Sequence, residues 1–411
     1  MNSLDARRAI EALRSGVPSA AAVREIGCGQ PLLERRFREV LAKSDLDGGM
    51  LVRAGYGEGK SHFLTCLERE ALDAGYAASR LVISKSIPLS DPAKLLSAAA
   101  EGLRVGVDIG RGLDEVQDRL ILRLDSPQFV DFKVSLERDG LFDSRFPATV
   151  SLFEDSRDDE FRDRILRFWA GDALMVGEIR RGLKGMGMAA SYPLTPIRAR
   201  DLAIQKLAFI PALMKAAGLE GWVLLIDEVE LVGQYSRLQR ARSYAELVRL
   251  LTDVPGITTV AAISSDFSQA VLDAKGDRDG LAAYLDGRYP ELIGPAEKGM
   301  ELIDRADLFE VPGEDSRKRA FSALRRLHGD AYGWQPPEIT WPETVGVTPM
   351  RTFVRAWISA WDMRRLNPGT RPDEAGFEIS PPVLDYGEEA DPGVNDETST
   401  SWGPTSRGFG S

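Results

Sequence analysis

The chain is 411 residues long, 43 % hydrophobic and 28 % charged, with a formal net charge of −11, the composition of a soluble globular protein with room for two or three cores. It has no run of the roughly 18 apolar residues that a membrane span needs, and Met1 to Arg8 lacks the apolar centre of a secretion signal. Two cysteines and two histidines support neither a disulfide framework nor a zinc site, so a bacterial-type cytoplasm is the expected location.

Residues 4–43 carry a helical pattern through Ile10, Leu13, Leu33, Phe37, Val40 and Leu41, broken at Gly27-Cys28-Gly29 and Pro31. A short apolar strand, Met50 to Val52, then enters a glycine-rich loop, and Gly59-Lys60-Ser61 opens a helix. Strand, glycine loop and Lys-Ser at a helix start form a phosphate-binding pattern. Backbone amides of Gly55, Tyr56, Gly57, Glu58 and Gly59 would turn inward around a polyphosphate, helped by the helix dipole. Lys60 would reach the β- and γ-phosphates, and the Ser61 hydroxyl would ligate Mg²⁺. Ala54 stands where the first glycine of the pattern usually sits, and His62 is expected to pack beside the loop.

Phe63, Leu64, Leu67 and Ala71 give that helix one apolar face, ending near Gly75. A strand is expected over Leu81 to Ser84, and a helix from Asp91-Pro92 with Leu95, Leu96 and Ala99 inside. Residues 113–190 are charged, punctuated by aromatics and helical in pattern, with a glycine-rich break at Gly182 to Gly187; they read as a helical insertion. Within them Arg180, Arg181 and Lys184 form a modest basic cluster, read as a solvated face. A helix over Arg198 to Ala217 precedes strands at Trp222 to Ile226, Ile257 to Ile263 and Ala306 to Val311. Strands alternating with helices predict a parallel sheet covered on both faces. Residues 314–366 read as a small helical domain around Phe321, Leu324, Leu327, Phe353, Trp357 and Trp361. Trp334 and Trp341 belong to the same core, and His328 is structural. Beyond Asn367 the chain reads as disordered. From Thr370 onward nine acidic residues and two arginines give −7, and subtracting this from −11 leaves −4 for the rest. There is no strongly basic stripe for nucleic acid, although a local patch stays open.

The second motif is Val223-Leu224-Leu225-Ile226-Asp227-Glu228-Val229-Glu230. A buried apolar strand would present two carboxylates at its carboxyl end, where open α/β sheets place their chemistry. Asp227 would hold Mg²⁺ through water while Glu228 polarises an attacking water. The strand Ile257 to Ile263 ends in Ser264-Ser265-Asp266 and is expected between the two motif strands. Ser264 or Ser265 would contact the γ-phosphate or the water. Arg305, before the last strand, would reach a neighbouring subunit's nucleotide. Arg351, opening a helix of the small domain, would close over the same phosphates.

With Tyr56-Gly57-Glu58-Gly59-Lys60-Ser61-His62-Phe63-Leu64 and Leu224-Leu225-Ile226-Asp227-Glu228-Val229-Glu230-Leu231 in view, the chain resembles AAA+ ATPases of the initiator, origin-recognition-like branch. Within that branch it is most similar to the ATP-binding proteins of BREX-type bacterial phage-defence systems. The resemblance implies an α/β P-loop AAA+ core at 46–312 bearing the 113–190 insertion. A 1–45 helical segment would precede this core, with a 313–366 helical lid and a 367–411 acidic tail after it. Lys60 and Asp227 are 167 positions apart (227 minus 60), more than a minimal core of that kind needs. The implied role is a Mg²⁺-dependent ATPase that switches assembly state in an anti-phage complex on DNA. It would act as a homo-oligomer beside a helicase or other defence protein, contacting DNA directly or through that partner. Two other readings share the nucleotide site: a slow-turnover ATP-gated adaptor, and a DNA-loading ATPase of replication or transposition.

Overall fold

The computed structural model describes residues 2–42, 49–106, 112–138, 142–339, 349–368 and 386–387. Trp341 and nearly all of the acidic tail lie outside the described residues.

Six strands form one sheet in the order β3-β2-β4-β5-β1-β6. They are β1 (Met50–Ala54), β2 (Ala77–Val82), β3 (Leu103–Val105), β4 (Trp222–Asp227), β5 (Ile257–Ser264) and β6 (Asp307–Leu308). Every pairing is parallel except β2 with β3. Strand β4 is buried along its whole length, as is β5. Their side chains alternate between two apolar layers. Leu224, Ile226, Ala261 and Ile263 face one, while Val223, Leu225, Val260 and Ala262 face the other. Covering both faces is why these strands read as continuous apolar runs and not as alternating ones.

Four details depart from the sequence expectation. β2 begins at Ala77, earlier than Leu81, because Ala77, Ala78 and Ser79 are small enough to be buried in the sheet; alanine and serine carry little strand signal on their own. β3 is an antiparallel edge strand of three residues, too short to leave a pattern. β6 shrinks to two residues, although the Phe309 N–H still donates to the Arg53 carbonyl at 3.0 Å. The glycine-rich break starts later than Gly182: the helix Val176–Gly185 runs through Gly182 and gives way only before Gly187, whose φ is 72°. A Cβ at Gly182 would stand 2.6 Å from Leu152 Cδ2, so this glycine permits close helix packing.

The helices of the predicted insertion do not form a separate core. Rings of Phe132, Phe142, Phe146 and Trp169 gather around Phe209, with centroids 4.9–6.2 Å apart. They join the apolar layer that includes Ile226 of β4. Arg180, Arg181 and Lys184 are exposed. At the other end, the first helix (Ser3–Ser15) lays Ile10 and Leu13 against Leu324, Leu327, Phe353, Trp357 and Trp361. The amino-terminal segment and the helices Glu314–Tyr332 and Met350–Leu366 thus share one core.

Two buried polar groups in these layers set stability. Arg240 and Asp277, 1 % and 0 % exposed, pair through two bonds of 2.7 Å, and the Tyr244 hydroxyl donates to the same carboxylate at 2.8 Å. Removing one partner strands the other charge, so Asp277→Ala should cost about 3–5 kcal/mol in chemical denaturation. Glu314→Ala, which breaks an exposed pair with Lys318, should be close to neutral.

His328 is fully buried, accepts from Trp334 Nε1 at Nδ1 (2.9 Å) and directs Nε2 to Asp362 (3.2 Å). The Trp334 N–H leaves no room for a proton on Nδ1, so the ring is neutral. Burial lowers its pKa against the upward pull of Asp362. The neutral form is therefore favoured in the folded state. Its contribution is full above the ordinary value of 6.5 and is lost as pH falls through the lowered folded value. Melting temperature should fall on acidification below that point, and His328→Phe should remove this part of the pH dependence.

Candidate nucleotide-binding site

The parallel register aligns Ala54 of β1 with Ser264 of β5, and Val82 of β2 with Asp227 of β4, along one edge of the sheet. A cleft of about 540 Å³ opens there, lined by Gly55 to His62, Asp227, Glu228, Glu230 and Arg351 among others. That volume is ordinary for a small-molecule site.

The loop between β1 and the helix Lys60–Asp73 depends on its glycines. Gly57 and Gly59 adopt φ of 77° and 103°, a region that side chains disfavour. Ala54 has no such demand: it is a buried strand residue without positive φ. A glycine is therefore not required at that place. Glu58 folds its carboxylate back to accept from the Gly55 N–H at 2.6 Å.

Lys60 is 8 % exposed, and its ammonium lies 3.2 Å from both the Ala54 carbonyl and Glu230 Oε1. Glu230 arrives from the 3₁₀ turn Val229–Gln234 that follows β4. Burial raises its pKa and Lys60 opposes the rise, while Oε2 has no hydrogen-bond partner. Asp227, 2 % exposed, accepts from Arg80 Nη2 at 2.8 Å and from the Glu228 N–H at 3.1 Å. Glu228 has φ 57° and ψ 38° and is the single non-glycine residue with positive φ among the described residues. Holding it there costs about 1–3 kcal/mol, and strain of this kind gathers at functional sites. Its side chain opens to the cleft. Partial desolvation, then the neighbouring Asp227 charge, raises its pKa.

Ser61 lines the cleft one residue past Lys60. His62 lies beside it and bonds the Gly27 carbonyl at 2.8 Å, tying the 27–29 loop to the helix. Burial would lower the His62 pKa, but its bond with Cys66 and the carbonyl outweigh that and raise it. Arg351 also reaches the loop. Its guanidinium lies 5.0 Å over the Tyr56 ring, and it donates to the Tyr56 hydroxyl at 2.9 Å and the Gly16 carbonyl at 3.1 Å. Its own N–H donates to the Gly57 carbonyl at 3.1 Å. Ser264 is buried at the end of β5 but outside the cleft lining, and its hydroxyl donates to Asp266. Ser265 is exposed. Arg305 is apart from the cleft, with a 78 % exposed side chain 3.9 Å from Glu301.

The sequence reading missed Arg80 and gave Glu230 no role. Arg80 sits on β2 between Ser79 and Leu81, and only the β2–β4 register brings it to Asp227. An arginine inside an otherwise apolar, small-residue strand is the one signal it leaves.

This arrangement can hold a polyanion on loop amides and one ammonium, with carboxylates to bind a cation or steer water. The comparisons bear on its first half. Residues 1–134 match the family model of the BREX system ATP-binding protein BrxC/D. Over its first third, the chain resembles the BREX ATP-binding proteins. The match takes in the glycine loop, Lys60, Ser61 and Arg80, and ends before Asp227. No curated protein and no solved structure matches the chain. No described helix is long and apolar enough to cross a membrane.

Proposed function

We propose that the protein is a Mg²⁺-dependent ATPase of AAA+ type that changes assembly state with its nucleotide, as part of a BREX-like anti-phage system. The observation that carries this reading is the convergence of Lys60, Ser61, Asp227 and strained Glu228 on one cleft, beneath a loop within the family match. The Ser61 hydroxyl and Asp227 carboxylate are hard oxygen donors, which suits Mg²⁺. When bound, the ion would neutralise phosphate charge. The amides of residues 55–61 cradle the phosphates, and Lys60 exchanges Glu230 for phosphate oxygens. Glu228 orients the attacking water. Arg351 joins the lid helix to the loop that feels the phosphates. Arg305, exposed, serves a neighbouring subunit.

The slow-turnover adaptor remains a second reading, favoured by one specific observation. Lys60 and Asp227 are both engaged by protein charges, Glu230 and Arg80, so turnover requires both pairs to open. A helicase or DNA that opens them would accelerate hydrolysis; an adaptor would bind ATP and stay slow. Sedimentation of the protein with ATP, with ADP and without nucleotide tests the assembly switch. A mass that rises only with ATP supports it, and one mass in all three conditions refutes it.

Arg80 gives a further expected result. Arg80→Ala leaves buried Asp227 unpaired and should lower stability by about 2 kcal/mol, less than a fully buried pair because Arg80 is partly exposed. Mg²⁺ with ATP should then raise the melting temperature more in the variant than in the wild type, since the cation supplies the missing charge.

A further inference from the structure

Tyr386 lies 20 positions past Leu366, the end of the last helix, yet it is seated at the carboxyl edge of the sheet. Its hydroxyl donates to Asp266 Oδ1 at 3.2 Å, the same oxygen that accepts from the Ser264 hydroxyl. Its ring meets Phe267 edge-on, with centroids 6.2 Å apart and planes at 87°. The ring lies against Gly233, where a Cβ would come within 2.6 Å of Tyr386 Cδ1 and 2.8 Å of Val271 Cγ2. Gly233 has no positive φ, so its backbone does not call for glycine. The tyrosine ring and Val271 together do.

The position of this seat gives it consequence. Gly233 belongs to the turn that carries Glu230, the partner of Lys60. Asp266 is the partner of Ser264 at the end of β5. One aromatic ring therefore bridges the two segments that flank the cleft from β4 and β5. Burial raises the Tyr386 pKa, and the charges of Asp266 and Glu230 add to it, so the phenol stays a neutral hydrogen-bond donor.

We propose that the pocket formed by Gly233, Asp266 and Phe267 is a docking site for the acidic carboxyl-terminal tail through Tyr386, and that this docking restrains the ATPase. With Tyr386 in place, Asp266 keeps the Ser264 hydroxyl turned from the cleft, and the Glu230 turn is held against Lys60. Release of the tyrosine frees both segments to rearrange around the γ-phosphate. The restraint rests on the ATPase reading above; the docking does not.

Two readings on the full chain separate these parts: amide hydrogen exchange at Ser264 to Ser268, and ATP turnover. The variants are Tyr386→Ala, which empties the seat from outside the core and decides the docking, and Gly233→Ala, whose methyl crowds both the ring and Val271. Both should speed exchange at these amides and raise turnover about five-fold, the factor that roughly one hydrogen bond can hold closed. Unchanged exchange in Tyr386→Ala would overturn the docking. Faster exchange with unchanged or reduced turnover, in a wild type that hydrolyses ATP, would overturn the restraint. In a wild type without turnover the exchange result still decides the docking, and the fault lies with the ATPase reading.

Discussion

Glu228→Gln is expected to hold ATP with undiminished affinity while its turnover falls by at least about 100-fold, the scale on which a positioned catalytic base contributes. The substitution keeps the size and hydrogen-bonding reach of the side chain but cannot polarise water. It leaves Asp227 and Lys60 untouched, so binding survives. The left-handed backbone at this position treats glutamine and glutamate alike, so the fold is not put at risk. ATP should persist in the site, and any ATP-dependent assembly should become long-lived. Filter binding and phosphate release measured on the same preparation check both halves. Turnover near the wild-type rate would remove Glu228 from the role given to it.

Lys60→Ala is expected to weaken ATP binding by about 100-fold or more, since a charge-assisted contact to phosphate in a semi-enclosed site is lost. It also has a structural effect that must be separated from the first. Lys60 opposes the cost of burying Glu230, which is 5 % exposed and already has one oxygen without a partner. The Glu230 pKa is raised in the folded protein. Its protonated form is therefore favoured by folding, a contribution present at low pH and lost as pH rises through the raised value. Without Lys60 the pKa rises further, so the variant should lose about 2–4 kcal/mol near neutral pH and regain part of it on acidification. The double variant Lys60→Ala, Glu230→Ala should recover stability without recovering ATP. Denaturation curves at two pH values, beside ATP titrations, distinguish the two effects. If the double variant binds ATP, the lysine is structural.

These results trace back to residues that differ in how openly the sequence displays them. The apolar run Val223 to Ile226 with two carboxylates at its end needs only a buried strand to make sense, and β4 is one. The Lys60 loop is local, its glycines set by backbone angles within five residues. Arg80 and Glu230 could not be read in the same way. One depends on which residue of β2 lies opposite β4, and the other on a 3₁₀ turn that swings a side chain back beneath the loop. Gly182 misled because a glycine that breaks a helix and one that lets two helices touch look alike in sequence. Tyr386 left no signal at all: one of four aromatics beyond Thr370, beside Phe377, Trp402 and Phe409, it gains meaning only from the Gly233 and Phe267 it covers.

Steady-state phosphate release from ATP with Mg²⁺ by the purified protein, with and without double-stranded DNA and beside Lys60→Ala, tests the ATPase site most directly. Turnover is expected to require Mg²⁺ and to be lost in the variant. An increase with DNA would favour action on DNA, and indifference to DNA would favour a protein partner. Release that survives in Lys60→Ala, or wild-type protein that neither binds nor hydrolyses ATP, would rule out an ATPase at this site.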